Sequence, residues 1–172
     1  IDKTGNEDVV GQEPIDPALF IDDDGQAYMY FGCRSPRVVK LKANMIELDG
    51  DIEPVQINGI EQYTEKTGGG WYGEGPWVFK RGEHYYYIYS NGWEKDTTLV
   101  YAMATNPVGP FNYIGEVMAP IGAGTSHGSI TQFNDKWYVF YHSRELSKSA
   151  KQRSVHMDEI TFTSDGKIIP LI

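Results

Sequence analysis

Three segments of the sequence repeat one plan, and this repeat constrains the fold more than any other feature. Each segment has a short apolar run, a tight polar turn and then a second run of mainly aromatic and β-branched residues; the segments are residues 15–31, 74–90 and 127–142. Such a pattern is typical of a β-hairpin. The hairpins recur about every 53 to 58 residues, which is similar to the length of a four-stranded propeller blade.

The rest of the chain also favours strands over helices. Further strand candidates are residues 98–104 and 111–117, and residues 154–162 followed by the turn at 164–166 resemble another hairpin. Helical periodicity is nearly absent, and even residues 38–48 fit a strand and turn better than a helix. The sequence therefore predicts an all-β fold of about three blades. Closed propellers usually have at least four blades, so three cannot close a ring alone.

Composition excludes several classes of partner and site. The net charge of -9 argues against nucleic acid and anionic membranes as partners, and no apolar run approaches the roughly 18 residues of a membrane helix. The single cysteine, Cys33, permits neither an internal disulfide nor a cysteine zinc site. It follows an apolar strand candidate, so we expect a buried structural thiol.

A different polar residue opens each hairpin: Asp16, Glu74 and His127. Because the first strand of every propeller blade lines the central channel, equivalent strand starts are expected to converge near its axis. Two carboxyl groups and an imidazole gathered there suit cleavage of a glycosidic bond, which needs a protonated carboxyl group and charged neighbours that tune it. The alternatives are structural: Asp before Pro is a common turn, Glu among glycines can face solvent, and a histidine can be purely structural.

Four motifs of the sequence resemble those of glycoside hydrolase family 43. They are Ile-Asp-Pro-Ala-Leu-Phe-Ile-Asp-Asp-Asp-Gly-Gln-Ala-Tyr at 15–28, Glu-Gly-Pro-Trp-Val-Phe-Lys-Arg at 74–81, His-Gly-Ser-Ile at 127–130 and Arg-Ser-Val-His at 153–156. The motifs occur in the family's order over nearly the whole chain. The resemblance implies a five-bladed β-propeller, of which this chain supplies about three blades. It also implies inverting hydrolysis of xylan, arabinan or arabinoxylan.

The resemblance also implies roles for individual residues. Glu74 would be the general acid, and Asp16 would orient it and raise its pKa. His127 would face the axial channel, where many members hold a hydrated calcium ion, so a structural Ca²⁺ is the expected cofactor. Arg153 would contact the sugar or Asp16.

Two aromatic residues are further candidates for substrate binding. Trp71 stands beside the glycine run at 68–70, in an expected loop where its ring could stack on a sugar. Phe20 lies in the first hairpin, four residues after Asp16.

The family's general base, an Asp in the first blade, has no counterpart in this sequence. It should stand well upstream of Ile15, but the acidic residues Asp2, Glu7, Asp8 and Glu13 lie in no such motif. We therefore expect residues 1–172 to be a partial catalytic propeller that lacks the N-terminal blades and is inactive alone. The missing blades, or another copy of the chain, would then be its protein partner.

Three functions remain open at this level. The first is a glycoside hydrolase that cleaves xylosyl or arabinofuranosyl linkages in plant polysaccharide or oligosaccharide. The second is a non-catalytic carbohydrate-binding propeller fragment or pseudoenzyme, which the missing base favours. The third is a related retaining fructan-cleaving enzyme, although such enzymes lack the motif at 127–130. The resemblance and a polymeric substrate imply a secreted or periplasmic protein, although no signal peptide is visible in the chain.

Overall fold

The computed structural model describes residues 14–60, 72–92, 97–122, 125–149 and 151–172. These residues form strands without a helix, and so include no helix of the length and apolarity that crossing a membrane requires. The strands are β1 (Ala18–Ile21), β2 (Ala27–Phe31), β3 (Arg37–Leu41), β4 (Glu53–Pro54), β5 (Ile57–Asn58), β6 (Glu74–Arg81), β7 (His84–Ser90), β8 (Leu99–Ala104), β9 (Phe111–Glu116), β10 (Gly128–Phe133), β11 (Lys136–Ser143) and β12 (Ser154–Ile160).

The strands form three sheets, which confirms the all-β prediction and the estimate of about three blades. The first sheet has the order β1-β2-β3-β4, the second β5-β9-β8-β7-β6 and the third β10-β11-β12. Strand β6 packs against both β1 and β10, so the first strand of each repeated hairpin lies on the inner side. The blades are less regular than predicted: the short β5 adds to the second sheet parallel to β9, and the third sheet has three strands within the described residues.

The predicted hairpins are antiparallel pairs with the expected polar turns. β1 pairs with β2, β6 with β7 and β10 with β11. The turn of the last pair has two residues, Asn134 and Asp135, and both have positive φ, 49° and 63°, as a type I′ turn requires. The hairpin predicted after residue 154 is reduced to one bridge between Phe162 and Ile168.

Strand β7 supplies side chains to two separate cores. Successive residues of a strand point to opposite faces of the sheet. Tyr85, Tyr87 and Tyr89 therefore pack towards the first sheet, and Tyr86 and Ile88 pack towards the third. All five are buried, so the tyrosine-rich run is core, as the alternation predicts. Cys33 is buried too, as expected.

Polar contacts also tie the second sheet to its two neighbours. On one side the Lys80 ammonium lies 3.0 Å from an Asp22 carboxylate oxygen, and the Tyr85 hydroxyl donates to the other oxygen at 2.6 Å. On the other side the Trp77 indole N–H donates to the Ile130 carbonyl at 2.8 Å. Burial raises the pKa of Asp22, but the hydrogen bonds that its carboxylate accepts together hold that pKa below its ordinary value.

The outer face of the third sheet carries four exposed apolar side chains beside the Lys136–Glu159 ion pair. Phe133, Phe140, Val155 and Met157 lie on the face opposite the core residues, with exposures between 37% and 81%. The expectation that further blades or another copy of the chain covers such a face stays a prediction.

Candidate active site

The three polar residues that open the hairpins meet at one end of the inner strands. Asp16 stands two residues before β1, Glu74 begins β6 and His127 directly precedes β10. One carboxylate oxygen from each acid and a ring nitrogen of the histidine lie within 4.8 Å of one another. The structure thus brings together residues that are 58 and 53 positions apart in the sequence, as the repeat predicts.

The histidine ring lies between the two carboxyl groups. His127 Nε2 is 3.3 Å from Glu74 Oε1 and 3.7 Å from Asp16 Oδ2. Glu74 is only 8% exposed, whereas Asp16 and His127 are partly exposed. Asp16 Oδ2 is buried and accepts no hydrogen bond from the described residues, so it is an unsatisfied hydrogen-bond acceptor there.

An unusual backbone holds these side chains in place. Asp16 has φ of 56° and Gly75 has φ of 67°, both in the left-handed region. The β6–β7 register shifts between Glu74 and Trp77, and such a bulge re-aims the side chain beside it. A Cβ added to Gly75 would meet the His127 ring at 3.0–3.1 Å, so glycine lets this ring lie directly against the strand. Strained backbone of this kind is common at functional sites.

Burial and neighbouring charges shift the pKa values of the site. Burial raises the pKa of Asp16, and the Glu74 charge adds to this, while His127 and Arg153 lower it. The hydrogen bond with Glu74 raises the pKa of His127, against the effect of burial. Burial lowers the pKa of His142, whose ring centroid is 6.2 Å from that of His127. The pKa values of these two neighbouring histidines are therefore shifted in opposite directions.

A cleft of about 380 Å³ opens beside these residues, a volume within the usual range of small-ligand sites. Its walls come from the starts of β1, β6, β10 and β12 and from the end of β11. The lining residues are Asp16, Pro17, Ala18, Gly75, Pro76, Trp77, His127, Gly128, Ser129, Phe140, Tyr141, His142 and Val155. The cleft is therefore an open depression that combines the Asp16 carboxyl group with imidazoles and aromatic surface.

The remaining predicted site residues have different positions. Arg153 lies close enough to influence the pKa of Asp16. Phe20 is not brought to the site, because its ring packs against Tyr28 and Tyr85 between the first two sheets, with centroids 6.4 and 5.8 Å away. Trp71 lies outside the described residues.

Sequence reasoning missed His142 and the role of Gly75. His142 ends the alternating aromatic run of β11, and only its pairing opposite the start of β10 brings it to the site. The signal for Gly75 was present in the sequence, since a glycine directly after a functional acid often marks a backbone that other residues disfavour.

Comparison with known proteins agrees with this architecture. The family described as Glycosyl hydrolases family 43 matches residues 2–168. Xylosidase/arabinosidase 43A of Humicola insolens is 33% identical over 95% of this chain and 61% of that protein. A β-D-galactofuranosidase of Aspergillus niger is 36% identical over 96% of this chain and 48% of that protein.

Solved structures lead to the same family. A family 43 enzyme from Xanthomonas citri in complex with xylotriose superposes with a TM-score of 0.82 at 31% identity, over 94% of this chain and 57% of that one. The family 43 structures are β-propellers, so the predicted fold is confirmed, and the chain spans about half to three-fifths of the length of these relatives. The family match and these likenesses establish that the chain belongs to glycoside hydrolase family 43.

Proposed function

We propose that the protein containing this chain is an inverting glycoside hydrolase for xylosyl or arabinofuranosyl linkages, with Glu74 as its general acid. One observation carries the proposal: the buried Glu74 carboxyl group lies within 4.8 Å of the Asp16 carboxyl group beside an open cleft. The names of the relatives and the bound xylotriose support pentose-containing substrates.

The geometry suits a group that must deliver a proton. Two carboxyl groups at this separation do not ionise independently, because the first negative charge disfavours the second, and burial disfavours both charges. Burial and the Glu74 charge raise the pKa of Asp16 although His127 lowers it, so both favour a proton held between the two carboxyl groups. Glu74 would pass this proton to the departing glycosidic oxygen, and Asp16, with its buried Oδ2, would be a positioning residue that favours the protonated acid.

Asp16 is too close to Glu74 to be the general base of an inverting enzyme. The acid and base of such enzymes are about 6.5–9.5 Å apart, which leaves room for the attacking water, whereas these carboxyl oxygens are within 4.8 Å. We therefore propose that a carboxylate upstream of this chain supplies the base. A form of the protein extended upstream should hydrolyse substrate, and the 172-residue chain alone should not.

Calcium is a separate question, because the three side chains could hold a metal ion. Calcium prefers six to eight oxygen ligands, whereas this group offers two carboxylates and one ring nitrogen. That nitrogen also lies 3.3 Å from Glu74. The group fits calcium poorly, and the proposed acid role does not depend on a metal.

The test uses the full-length protein and aryl xylosides or arabinofuranosides with good and poor leaving groups. Glu74→Gln should lower kcat/KM by about 10²–10⁴-fold for poor leaving groups, and much less for those that need no proton. Glu53→Gln, an exposed carboxyl group on β4, is the matched control and should keep wild-type rates.

Two results would overturn the assignment. If Glu74→Gln lowers kcat/KM equally for all leaving groups, Glu74 is not the general acid. A product with retained anomeric configuration, detected by NMR, would identify the close Asp16 carboxylate as a nucleophile instead. Binding of xylotriose without turnover would favour the carbohydrate-binding alternative.

A further inference from the structure

A second cleft adjoins the candidate active site at the same end of the third sheet. It has a volume of about 620 Å³ and is lined by Pro120, Ile121, Gly122, Tyr141, Ser143, Arg144, Glu145, Lys148 and His156. Tyr141 lines both clefts, and its β10 partner, Gly128, directly follows His127. The two clefts therefore share one residue, Tyr141, near the end of β11.

The second cleft presents the positive charges of Arg144 and Lys148. Within the described part of the chain, no carboxylate oxygen lies within 4.0 Å of the charged nitrogens of Arg144 or Lys148, although Glu145 also lines the cleft. The backbone N–H of Lys148 donates to the backbone carbonyl of Arg144 at 2.7 Å, and Lys148 has φ of 58°. This closed turn holds the two cations on one short loop, in a protein whose net charge is -9.

The opposite wall is aromatic and fixed by hydrogen bonds. The Tyr141 ring stacks on the His156 ring with centroids 5.2 Å apart and an angle of 19° between the planes. The Tyr141 hydroxyl donates to Asp158 at 2.7 Å, and Ser143 Oγ lies 2.8 Å from His156 Nε2. Ring faces with polar edges are surfaces on which sugar rings stack.

We propose that this cleft is a subsite for a uronic acid, a sugar whose carboxylate pairs with Arg144 and Lys148 while its ring lies near Tyr141 and His156. Arginine can bind a carboxylate through two parallel hydrogen bonds, and a lysine adds a second charge. The inference rests on the proposed function, because it places the acidic sugar on an oligosaccharide whose cleaved linkage lies at Glu74. It names a substrate class: pentose oligosaccharides that carry an acidic substituent.

The test measures binding to the full-length protein by calorimetry with three probes. They are xylotriose, xylotriose that carries one glucuronic acid, and the same branched oligosaccharide with its carboxyl group reduced to an alcohol. We expect the acidic probe to bind about tenfold more tightly than the reduced one. Arg144→Gln/Lys148→Gln should abolish that preference and leave xylotriose binding unchanged, whereas Lys40→Gln, an exposed lysine on β3, should keep it. A higher salt concentration should weaken the binding of the acidic probe more than the binding of the two neutral probes.

The outcomes separate this inference from the proposed function. Equal binding of the acidic and reduced probes, or a preference that survives in the double variant, would overturn the uronic acid subsite while the xylotriose data stand. Inorganic phosphate that binds as tightly as the acidic probe would show a general anion site and also overturn it. Failure of all three oligosaccharides to bind would overturn the proposed function as well. The single variant Lys148→Gln keeps the test valid if the double variant folds poorly, because it should lose part of the preference.

Discussion

Replacing Gly75 by alanine tests how the backbone arranges the candidate active site. The new Cβ would stand 3.0–3.1 Å from three atoms of the His127 ring, so the ring must move by a few tenths of an ångström. His127 Nε2 is already 3.3 Å from Glu74 Oε1, at the long end of hydrogen-bond distances. A shift of that size takes the pair to about 3.6 Å, where the hydrogen bond is lost.

Two measurable effects follow in the full-length protein. The hydrogen bond with Glu74 is the main cause that raises the pKa of His127, so the pKa should fall when that bond is lost, although the charges of Asp16 and Glu74 still raise it. The free energy of unfolding should fall by about 1–2 kcal/mol from the left-handed backbone, and by about 1–3 kcal/mol more from the crowded contact. NMR titration of the ring protons measures the first effect, and urea unfolding the second.

Gly82→Ala is the matched control, because it isolates the backbone effect. Gly82 also has a left-handed φ, 60°, and lies in the turn of the same hairpin, between β6 and β7. A Cβ there would meet no atom within 4 Å. It should lose only the backbone part of the stability and leave the His127 titration and kcat/KM unchanged. If Gly75→Ala and Gly82→Ala behave alike in both measurements, the absence of a side chain at Gly75 does not position His127.

Three further predictions concern stability. Asp22→Asn should lower the free energy of unfolding by about 1–2 kcal/mol at pH 7. Because the pKa of Asp22 is depressed, this difference from wild type should persist above pH 3.8 and vanish as the pH falls through the folded-state pKa. Asp51→Asn, at an exposed position, is the control. The pKa of His127 is raised, so its stabilisation relative to His127→Gln should be greatest below pH 6.5 and disappear as the pH rises through the folded-state value, measured by urea unfolding across pH. Trp77→Phe should lose about 1 kcal/mol in thermal unfolding, because the hydrogen bond to the Ile130 carbonyl is removed while an aromatic ring remains.

The repeat in the sequence predicted the candidate site because equivalent positions in equivalent hairpins must converge. Asp16, Glu74 and His127 each open an inner strand, and local pattern alone was enough to identify those strands. Phe20 lies four residues after Asp16 but is not at the site, because the left-handed φ of 56° at Asp16 interrupts the strand alternation between them. The Phe20 ring therefore belongs to the core between two sheets.

Features that depend on contacts between distant segments were not predictable from local pattern. The two-residue strand β5 has no periodicity of its own, and it is defined only by its parallel pairing with β9. The second cleft draws its walls from the loop before β10, the loop after β11 and the start of β12, which are not part of the hairpin repeat. Arg144 and Lys148 are four residues apart on one turn, so their shared cavity emerges only in the folded chain.

The alternation of β7 has a consequence for how the molecule comes apart. Tyr85, Tyr87 and Tyr89 pack in one hydrophobic core, and Tyr86 and Ile88 pack in the other, so both cores include this strand. Detachment of either flanking sheet would expose one face of β7 to water. A shift of one residue in the pairing of β7 would move both sets of side chains to the opposite face of the sheet. The three sheets are therefore expected to melt in a single cooperative transition rather than peel away one after another.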